Sequence, residues 1–472
     1  MKKTTILLFT LLISISCSKK NSWNINEFGA KADGKTVNTE AIQKAIDACS
    51  EEGGGIVTIE GGTYISGTIL LKDNVNLHVS ENAILLASVN PNDFYSIDPF
   101  IDATGQYRGQ CFIGAADVEN ISITGKGTID GQGKMFTPNN AKKTLKKLGL
   151  KEKKEDVTSL IAKDNQYVSK NIRYSNRPFL VRLVRVTNSK LKDITLRQPA
   201  AWTLHFFQCN TFEVDGIKIF SKANKNNDGI DIDSSTDGII KNSLINSDDD
   251  AICFKSTSLL PSKDIVVKDC RISSGWGAIK FGTESQGNFE NITVKDCHIF
   301  DTRGGGIKIL SADGANASNI LIDNIDMVNV EMPIFIRLCE RRLTYRGAEQ
   351  QPVGSINNVK ISNINAVSRK IEDLRMFPTV GFYFSGTPNH KLGTITLENI
   401  DITLPGGGTE EHAKVIVPEN EKEYPEFTKL GITPAYGMYA RHISNLITKN
   451  ISFKTTSDDA RKEVITINVD NL

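Results

Sequence analysis

Several features that would mark other classes of protein are scarce or absent in this sequence of 472 residues. Lys+Arg is 56 and Asp+Glu is 55, and this lack of a basic surplus argues against a general nucleic-acid binder. Only 14 prolines occur, so collagen-like and proline-rich linker classes are excluded. The eight cysteines form no Cys-x-x-Cys pair, which argues against a zinc site and favours buried free thiols. No apolar run reaches the roughly 18 residues that a membrane span needs. What remains is the composition of a folded globular protein, with 39% hydrophobic and 24% charged residues.

The start of the chain has the pattern of a targeting segment. Two lysines at positions 2 and 3 precede a short apolar run, which predicts a secretory signal over residues 1–16. The small residue before Cys17 resembles a bacterial lipobox, in which the cysteine becomes lipidated. We therefore predict an exported lipoprotein of a bacterial cell envelope, in the periplasm or outer membrane, held by Cys17 and a tether over residues 17–22. An ordinary signal peptide with an incidental cysteine is the alternative.

A repeat runs through the body of the chain. Its pattern is apolar, any, apolar, any, Asn/Asp/Gly, with a further apolar residue three positions later. Successive marker positions are 23, 26, 27, 27 and 28 residues apart, and they are Asp193, Gly216, Asn242, Asp269, Asp296 and Asn324. Later gaps of 39, 36 and 51 residues indicate inserted loops. A fixed period of this length is the signature of a solenoid.

The repeat units predict an all-β fold, a parallel β-helix that forms a single domain over residues 23–472. Each unit holds short alternating strands broken by turn residues, and no amphipathic helix separates them. Stacked coils would bring equivalent side chains into ladders at the sheet spacing of about 4.8 Å. A β-sandwich is the alternative, but it would show turn signals every 8–12 residues or so without this register.

Two segments depart from the repeat. Residues 38–50 predict a short amphipathic helix that begins at Asn38 or Thr39, ends at the glycines 53–55, and caps the open N-terminal end of the stack. A Lys-rich segment at about 134–170 predicts an insertion on a coil loop. It would form either a solvated surface helix or one wall of a binding cleft.

The densest group of acidic residues lies on two consecutive repeat units. Asp228 and Asp249 are 21 residues apart, close to one coil, so stacking would bring them and Asp250 together. Like charges at close range raise a carboxyl pKa, and an acid paired with a base is what glycosidic hydrolysis requires. A set of turn carboxylates, or a Ca²⁺ site, is the alternative reading. We assign Asp231 and Asp233 a structural role in the ladders.

These residues stand in motifs that resemble the polygalacturonase family of pectin-degrading glycoside hydrolases. The matching segments are Phe28–Gly34, Gly125–Gly131, Asn226–Gly229 and Asp248–Ser256. The resemblance implies a right-handed parallel β-helix and catalysis without a cofactor or metal. It also implies that Asp249 is the general acid, and that Asp228 and Asp250 hold and activate the attacking water, with inversion at the anomeric carbon.

Two family motifs are altered. Where the family has Gly-His-Gly this sequence has Gly275-Trp276-Gly277, or the motif is shifted into Gly277-Ala278, and in either case the His is absent. Where the family has Arg-Ile-Lys this sequence has Gly306-Ile307-Lys308, so Lys308 is kept and the Arg is lost. We predict that uronate carboxylates of the substrate are bound by nearby polar residues, which are Lys308, Lys255, Asn226, Lys280 and Arg303. Neutralisation of the Asp cluster is the alternative role for the cations.

The sequence thus predicts a monomeric glycosidase that cleaves α-glycosidic bonds of galacturonate-containing pectic polysaccharide or oligosaccharide. No nucleic-acid partner is expected, and the membrane is contacted only through the lipid. Two other functions remain open: a Ca²⁺-dependent pectate lyase-type enzyme and a non-catalytic glycan-binding β-helix.

Overall fold

The computed structural model describes residues 20–154, 156, 160 and 177–472. The predicted signal over residues 1–16 and the lipidation candidate Cys17 lie outside this part of the chain. So does most of the second half of the predicted Lys-rich insertion. Their assignments therefore stay predictions.

The described chain winds into a right-handed parallel β-helix, as the repeat and the motifs predict. Three ladders of parallel strands run along the stack of coils. The first ladder consists of Ser22–Asn24 (β1), Gly55–Ile59 (β3), Val75–Val79 (β6), Glu119–Thr124 (β10), Thr187–Lys192 (β13), Asn210–Asp215 (β16), Thr236–Lys241 (β19) and Ser262–Lys268 (β22). The second consists of Asp33–Val37 (β2), Gly62–Ser66 (β4), Ala83–Ala87 (β7), Thr128–Asp130 (β11), Thr195–Arg197 (β14), Lys218–Ser221 (β17), Leu244–Ser247 (β20) and Arg271–Ser274 (β23).

Further along the chain these two ladders merge into long bent strands. These are Phe289–Thr302 (β25), Asn316–Val330 (β27), Ser355–Ser368 (β29), Leu392–Leu404 (β31) and Ala435–Thr455 (β32). The third ladder, which carries the site described below, consists of Ile69–Leu70 (β5), Tyr107–Ala116 (β9), Phe179–Val184 (β12), Leu204–Phe207 (β15), Ile230–Asp233 (β18), Ile252–Ser256 (β21), Ile279–Ser285 (β24), Ile307–Ser311 (β26), Ile334–Leu338 (β28), Phe382–Ser385 (β30), the first part of β32, and Lys462–Asn471 (β33).

The marker residues of the repeat are the turns of the coils. Asp269, Asp296 and Asn324 all adopt a left-handed backbone conformation, with φ of 54°, 54° and 52°. Asn and Asp tolerate that conformation better than other residues with a side chain. The Asn324 side-chain amide donates to Asp296 on the preceding coil at 2.7 Å, and Asn399 donates to Asn363 at 3.1 Å. The period in the sequence is therefore the spacing of the turns. The apolar residues between the turns fill the interior of the coils.

The predicted capping helix is present as Thr39–Glu51 (α1), which covers the first coils with Ile42, Ala45, Ile46 and Cys49 buried. Its first turn differs from the expectation. Asn38 makes no capping bond to the helix, because its side chain is bonded instead to the backbone of residues 31 and 36. Gly53 and Gly54 end the helix with φ of 87° and 99°, as predicted.

Some segments of the chain lie outside the repeating coils. Ser96–Ile101 (β8) pairs antiparallel with β9, and Pro138–Leu148 forms a helix (α2) inside the predicted Lys-rich segment. A one-turn helix, Phe427–Leu430 (α3), lies in the long connection between β31 and β32. No helix in the described ranges is both long and apolar enough to cross a membrane. The seven cysteines within those ranges are all buried free thiols, as expected.

Candidate active site

Three acidic side chains converge where two coils enter the third ladder. Asp228 stands just before β18, while Asp249 and Asp250 stand just before β21. One carboxylate oxygen from each lies within 4.8 Å of the others. The coils are locked in register there, since the Gly229 N–H donates to the Asp250 carbonyl at 2.8 Å. The convergence predicted from the 21-residue spacing is therefore present.

A buried amide shapes the loop that presents Asp228. The Asn227 side chain is fully buried and accepts hydrogen bonds from the N–H groups of Ala223 and Asn224. Its NH₂ group donates to the carbonyls of Pro199 and Ala201 on the previous coil, at 3.1 and 2.9 Å. Asn227 thereby fixes the turn, while the neighbouring Asn226 faces the cleft.

The surroundings of the three acids differ. Burial, followed by the charge of Asp250, raises the pKa of the half-buried Asp249. Burial and the neighbouring acids Asp231 and Asp249 raise the pKa of Asp228 well above its ordinary value. Asp250 instead accepts a hydrogen bond from Lys280 Nζ at 2.7 Å, and both side chains are buried. The cluster therefore contains two acids with a raised pKa beside a third acid that is bonded to an ammonium group.

Asp231 belongs to this charge cluster as well, which sequence reasoning missed. It is fully buried, and neither of its carboxylate oxygens has a hydrogen-bond partner among the described residues. Burial raises the pKa of Asp231 to about 8, although Lys255 Nζ at 3.5 Å opposes that shift. Asp233 fits the predicted structural role, since it accepts hydrogen bonds from the backbone and hydroxyl of Thr257 at 2.7 and 2.6 Å.

The predicted substrate-binding lysines lie next to the acids, but each has a carboxylate partner. Strand register places Lys280 beside Lys308 on the next coil. Lys255 lies 3.2 Å from Glu284 and 3.8 Å from Asp228. Burial works to raise the pKa of Glu284, but the charges of Lys255 and Arg341 together with backbone hydrogen bonds outweigh it and lower that pKa to about 2. The alternative role of neutralising acidic groups therefore describes the contacts that Lys255 and Lys280 make in this structure.

Lys308 has a partner that the sequence did not indicate. Its ammonium group donates to both carboxylate oxygens of Glu426, each at 2.8 Å, and both residues are buried. Burial lowers the pKa of Lys308, although the charge of Glu426 works in the opposite direction. Glu426 follows Lys308 by 118 residues and belongs to the inserted connection before β32. The irregular gap before β32 indicated an inserted loop, but nothing in the sequence linked that loop to Lys308.

The ring of Trp276 lies between two cations. Lys308 Nζ lies 4.9 Å from the centre of the ring, and the Arg375 guanidinium lies 4.4 Å from it. Such contacts are attractive because the face of an indole is electron-rich. The neighbouring Gly277 leaves room for the acids, since a Cβ there would lie 3.0 Å from Asp250 Oδ1.

Two adjoining clefts meet at Asp249. The smaller one, of about 270 Å³, is here called the inner cleft, and it is lined by Asp102, Thr104, Trp202, Asn226, Asp228, Asp249, Asp250, Lys255, Trp276, Lys280, Thr283, Glu284 and Tyr424. The larger one, of about 770 Å³, is called the outer cleft, and it is lined by Gln106, Lys222, Asn224, Lys225, Asn226, Asp248, Asp249, Ser274, Gly275, Asp301, Arg303 and Arg375. Arg303, a predicted binding residue, thus lies in the outer cleft. Asn226 and Asp249 are common to both clefts.

Loops from outside the repeat close the inner cleft. The Ala103 N–H donates to Glu284 at 3.2 Å and the Gln106 side chain donates to Asn226 at 3.1 Å, so residues 102–106 span two sides of the cleft. Arg177 is bonded to Asn226 at 2.9 Å and also to Gln106. Burial lowers the pKa of Arg177 to about 9. Neither Arg177 nor the 102–106 loop belongs to the repeat, so their place in the site was not predictable from it.

The fold and the site together define a parallel β-helix protein with clustered carboxylates in a lateral cleft. The chain belongs to the glycosyl hydrolases family 28, whose family model matches residues 100–421. A second family model, described as rhamnogalacturonase A/epimerase, pectate lyase-like, matches residues 22–150.

Individual relatives agree with that assignment. The chain is 32% identical over 253 residues to the exo-poly-alpha-D-galacturonosidase of Dickeya chrysanthemi, an alignment that covers 49% of this chain and 41% of that protein. The chain thus spans less than half the length of that relative. The family 28 exopolygalacturonase of Yersinia enterocolitica superposes with a TM-score of 0.70 at 20% identity, covering 96% of this chain and 78% of the other. The exopolygalacturonase of Thermotoga maritima gives 0.69 at 21% identity, covering 92% of each chain. At these identities the two structures support the fold alone.

Proposed function

We propose that this protein is a glycoside hydrolase of polygalacturonase type, which cleaves α-glycosidic bonds of galacturonate-containing pectic glycans by acid/base catalysis. The observation that carries the proposal is the arrangement of the three acids at the junction of the clefts. Asp249, with a raised pKa, lies at the junction of the two clefts, and the Lys280-bound carboxylate of Asp250 lies beside it. Membership of family 28 and the polygalacturonase-type relatives support the same reaction.

The geometry supports a division of labour among the acids. The Asp249 carboxyl donates its proton to the glycosidic oxygen as the bond from the anomeric carbon to that oxygen breaks. A water attacks the anomeric carbon and passes its proton to Asp250, whose carboxylate form is stabilised by Lys280. Asp228 Oδ1 and Asp250 Oδ1 are buried without a hydrogen-bond partner among the described residues, so both can accept from that water. Proton exchange with solvent then restores Asp249 and Asp250.

Inversion of the anomeric carbon rests on the family resemblance. Oxygen separations within 4.8 Å are shorter than the roughly 6.5–9.5 Å typical of inverting enzymes. Proton NMR of the first product would decide, because inversion of an α-linked substrate releases the β-anomer first.

The positive charge in the cluster separates this proposal from a Ca²⁺-dependent lyase. Lys280 Nζ lies 2.7 Å from Asp250, and Lys255 Nζ lies 3.8 Å from Asp228. Two ammonium groups at these carboxylates offset the negative charge that a divalent cation would need. These contacts favour acid/base hydrolysis.

A direct assay tests the reaction class. Purified protein is incubated with homogalacturonan and rhamnogalacturonan oligosaccharides, with and without EDTA, beside an Asp249→Asn control. New reducing ends without ultraviolet absorbance, insensitive to EDTA and lost in the variant, are expected. Absorbance that disappears with EDTA would identify a lyase, and binding without turnover would identify a glycan-binding protein.

The cellular setting is also a proposal, supported by the sequence pattern alone. A signal over residues 1–16 and lipidation of Cys17 would place the enzyme in the bacterial cell envelope, where it would act on glycan fragments as a monomer. Cell fractionation of the Cys17→Ala variant tests the anchor.

A further inference from the structure

The outer cleft lies along one row of turns on the coil stack. Each turn of this row connects the second ladder to the next strand of the third ladder. Lys222 and Lys225 stand in the turn between β17 and β18, and Arg303 and Arg375 stand in later turns of the same row. A glycan chain in the outer cleft therefore lies across the coils, along the row of turns.

The outer cleft has more positive than negative side chains. The four cations just named are exposed, and none of them forms an ion pair within the described ranges of the chain. Three acids share the cleft, which are Asp248, Asp249 and Asp301, and burial raises the pKa of Asp249. Lysine and arginine side chains donate charge-assisted hydrogen bonds to carboxylates. The outer cleft can therefore receive a chain of uronates.

The Lys-rich segment that contains α2 belongs to an earlier turn of the same row. It follows β11 of the second ladder and precedes β12 of the third. The side-chain amide of Asn224, which lines the outer cleft, donates to the Gly133 carbonyl at 3.0 Å. Lys134 is the next residue, and its carbonyl accepts a hydrogen bond at 2.8 Å from the side chain of Asn140 in the first turn of α2. The helix therefore begins beside the edge of the outer cleft.

This segment carries positive charge alone. Residues 131–151 contain no acidic residue, and their lysines are all exposed and form no ion pair within the part of the chain that the structure describes. Lys142 and Lys143 stand four residues before Lys146 and Lys147 on α2, and like charges at that spacing repel each other and weaken a helix. A bound polyanion would relieve that repulsion. These lysines, here called the lysine surface, are Lys134, Lys142, Lys143, Lys146, Lys147 and Lys151.

We propose that the lysine surface binds a stretch of polyuronate that extends out of the outer cleft, so that the enzyme holds long pectic chains more tightly than short ones. The proposal rests on the proposed glycoside hydrolase function and names a second place where the same substrate is bound. Each contact of an exposed lysine is weak. Once one part of a chain occupies the cleft, however, the remaining contacts form within the complex, and together they raise the affinity.

A matched pair of variants tests the lysine surface in the full chain. The test variant replaces four lysines of α2 by glutamine, and they are Lys142, Lys143, Lys146 and Lys147. The control variant lowers the net charge by the same amount at four exposed lysines that line neither cleft, and they are Lys31, Lys35, Lys126 and Lys192.

The kinetic readout is the dependence of kcat/KM on chain length. The substrates are polygalacturonate or rhamnogalacturonan, whichever the wild type cleaves faster, and the shortest oligosaccharide of that polymer that the wild type cleaves. We expect the test variant to lose about 10-fold or more on the polymer, mainly through KM, and less than about 2-fold on the oligosaccharide, which ends before α2. The loss should shrink at high salt, which screens exposed charges. The control variant should keep both values.

Hydrogen exchange gives a second readout that does not depend on turnover. In Asp249→Asn protein, which should bind the polymer without cleaving it, the polymer should protect the backbone amides of Pro138–Leu148 because it relieves the repulsion between the lysines. The short oligosaccharide should leave the exchange of these amides unchanged. Equal exchange with and without the polymer would count against the lysine surface.

The outcomes separate this inference from the proposed function. An unchanged kcat/KM on the polymer in a folded test variant, or an equal loss on polymer and oligosaccharide, would overturn the inference while glycoside hydrolysis would stand. Binding of Cys17→Ala protein to vesicles with anionic headgroups, lost in the test variant without any change on the polymer, would assign the lysines to a membrane and overturn it as well. No cleavage of either polymer, by protein of normal thermal stability, would overturn the proposed function and this inference together.

Discussion

Replacement of Lys280 by methionine tests what its buried ion pair with Asp250 contributes to stability and activity. Lys280 Nζ donates to Asp250 Oδ2 at 2.7 Å, and the two side chains are only 3% and 4% exposed. Lys280→Met keeps most of the side-chain volume but leaves a buried carboxylate without its cation. Breaking a buried pair in this way typically costs about 3–5 kcal/mol, a large share of a total stability of about 5–15 kcal/mol.

The same substitution should lower catalytic activity. In the proposed reaction Asp250 accepts the proton of the attacking water, and Lys280 donates a hydrogen bond to its carboxylate. Without that bond kcat/KM should decrease by about 10–150-fold, the value of a charge-assisted hydrogen bond.

Urea denaturation and steady-state kinetics of three variants separate stability from catalysis. Lys280→Met alone should show both losses. Combined with Asp250→Asn, it should regain much of the stability, since both charges are gone, but no activity. Lys295→Met, which removes an exposed ion pair of 3.8 Å with Asp296, should cost less than about 1 kcal/mol. If Lys280→Met loses no more stability than this control and keeps the wild-type kcat/KM, the pair with Asp250 contributes to neither.

Further variants address the rest of the site and the anchor. Asp249→Asn should lower kcat by about 10²–10⁴-fold while substrate binding persists in calorimetry; near-normal turnover would contradict its role as the acid. Asp231, whose folded pKa of about 8 is above its unfolded value, favours folding most below about pH 4, and this contribution is lost as pH rises to 8. The melting temperature of Asp231→Asn relative to the wild type should therefore increase between pH 4 and 8, and a flat difference would contradict the raised pKa. Lys308→Met should lower the free energy of unfolding by about 3–5 kcal/mol in urea denaturation, because it leaves the buried carboxylate of Glu426 without its cation. A raised KM on charged substrates alone, without lost stability, would instead support the predicted contact of Lys308 with a uronate. Cys17→Ala should release the protein from the membrane fraction with unchanged specific activity, and continued membrane association would exclude lipidation at this residue.

The sequence predicts the coils well because one geometric rule repeats along them. The coils turn at residues in a left-handed backbone conformation, and Asp269, Asp296 and Asn324 occupy these turns at nearly constant spacing. The same spacing brought Asp228 beside Asp249. Residues that follow the period could therefore be located in space without any knowledge of side-chain contacts.

The walls of the site follow no period and were not predictable in this way. Glu426 reaches Lys308 from the inserted connection before β32, Tyr424 of the same connection lines the inner cleft, and Asp102 lines it from another loop. An insertion has no coil to fix its register, so its position depends on contacts that only the folded chain reveals. The place of Asp231 in the charge cluster was also not predictable from the repeat. The alternation of the strand indicates which face Asp231 occupies, but not whether its carboxylate oxygens have hydrogen-bond partners there.

The coil stack also separates the acidic cluster from events at its ends. In the third ladder, β18, β21, β24 and β26 are the middle four of twelve described strands, with four on either side. The terminal strand β33 covers only part of β32 and leaves Val464 and Ile467 39% and 46% exposed. Coils in such a stack contact only their neighbours, so opening can spread from the exposed edge one coil at a time. Opening of the last coil therefore leaves the backbone amides of the central coils protected from hydrogen exchange. The acids keep their spacing while the edge opens and closes.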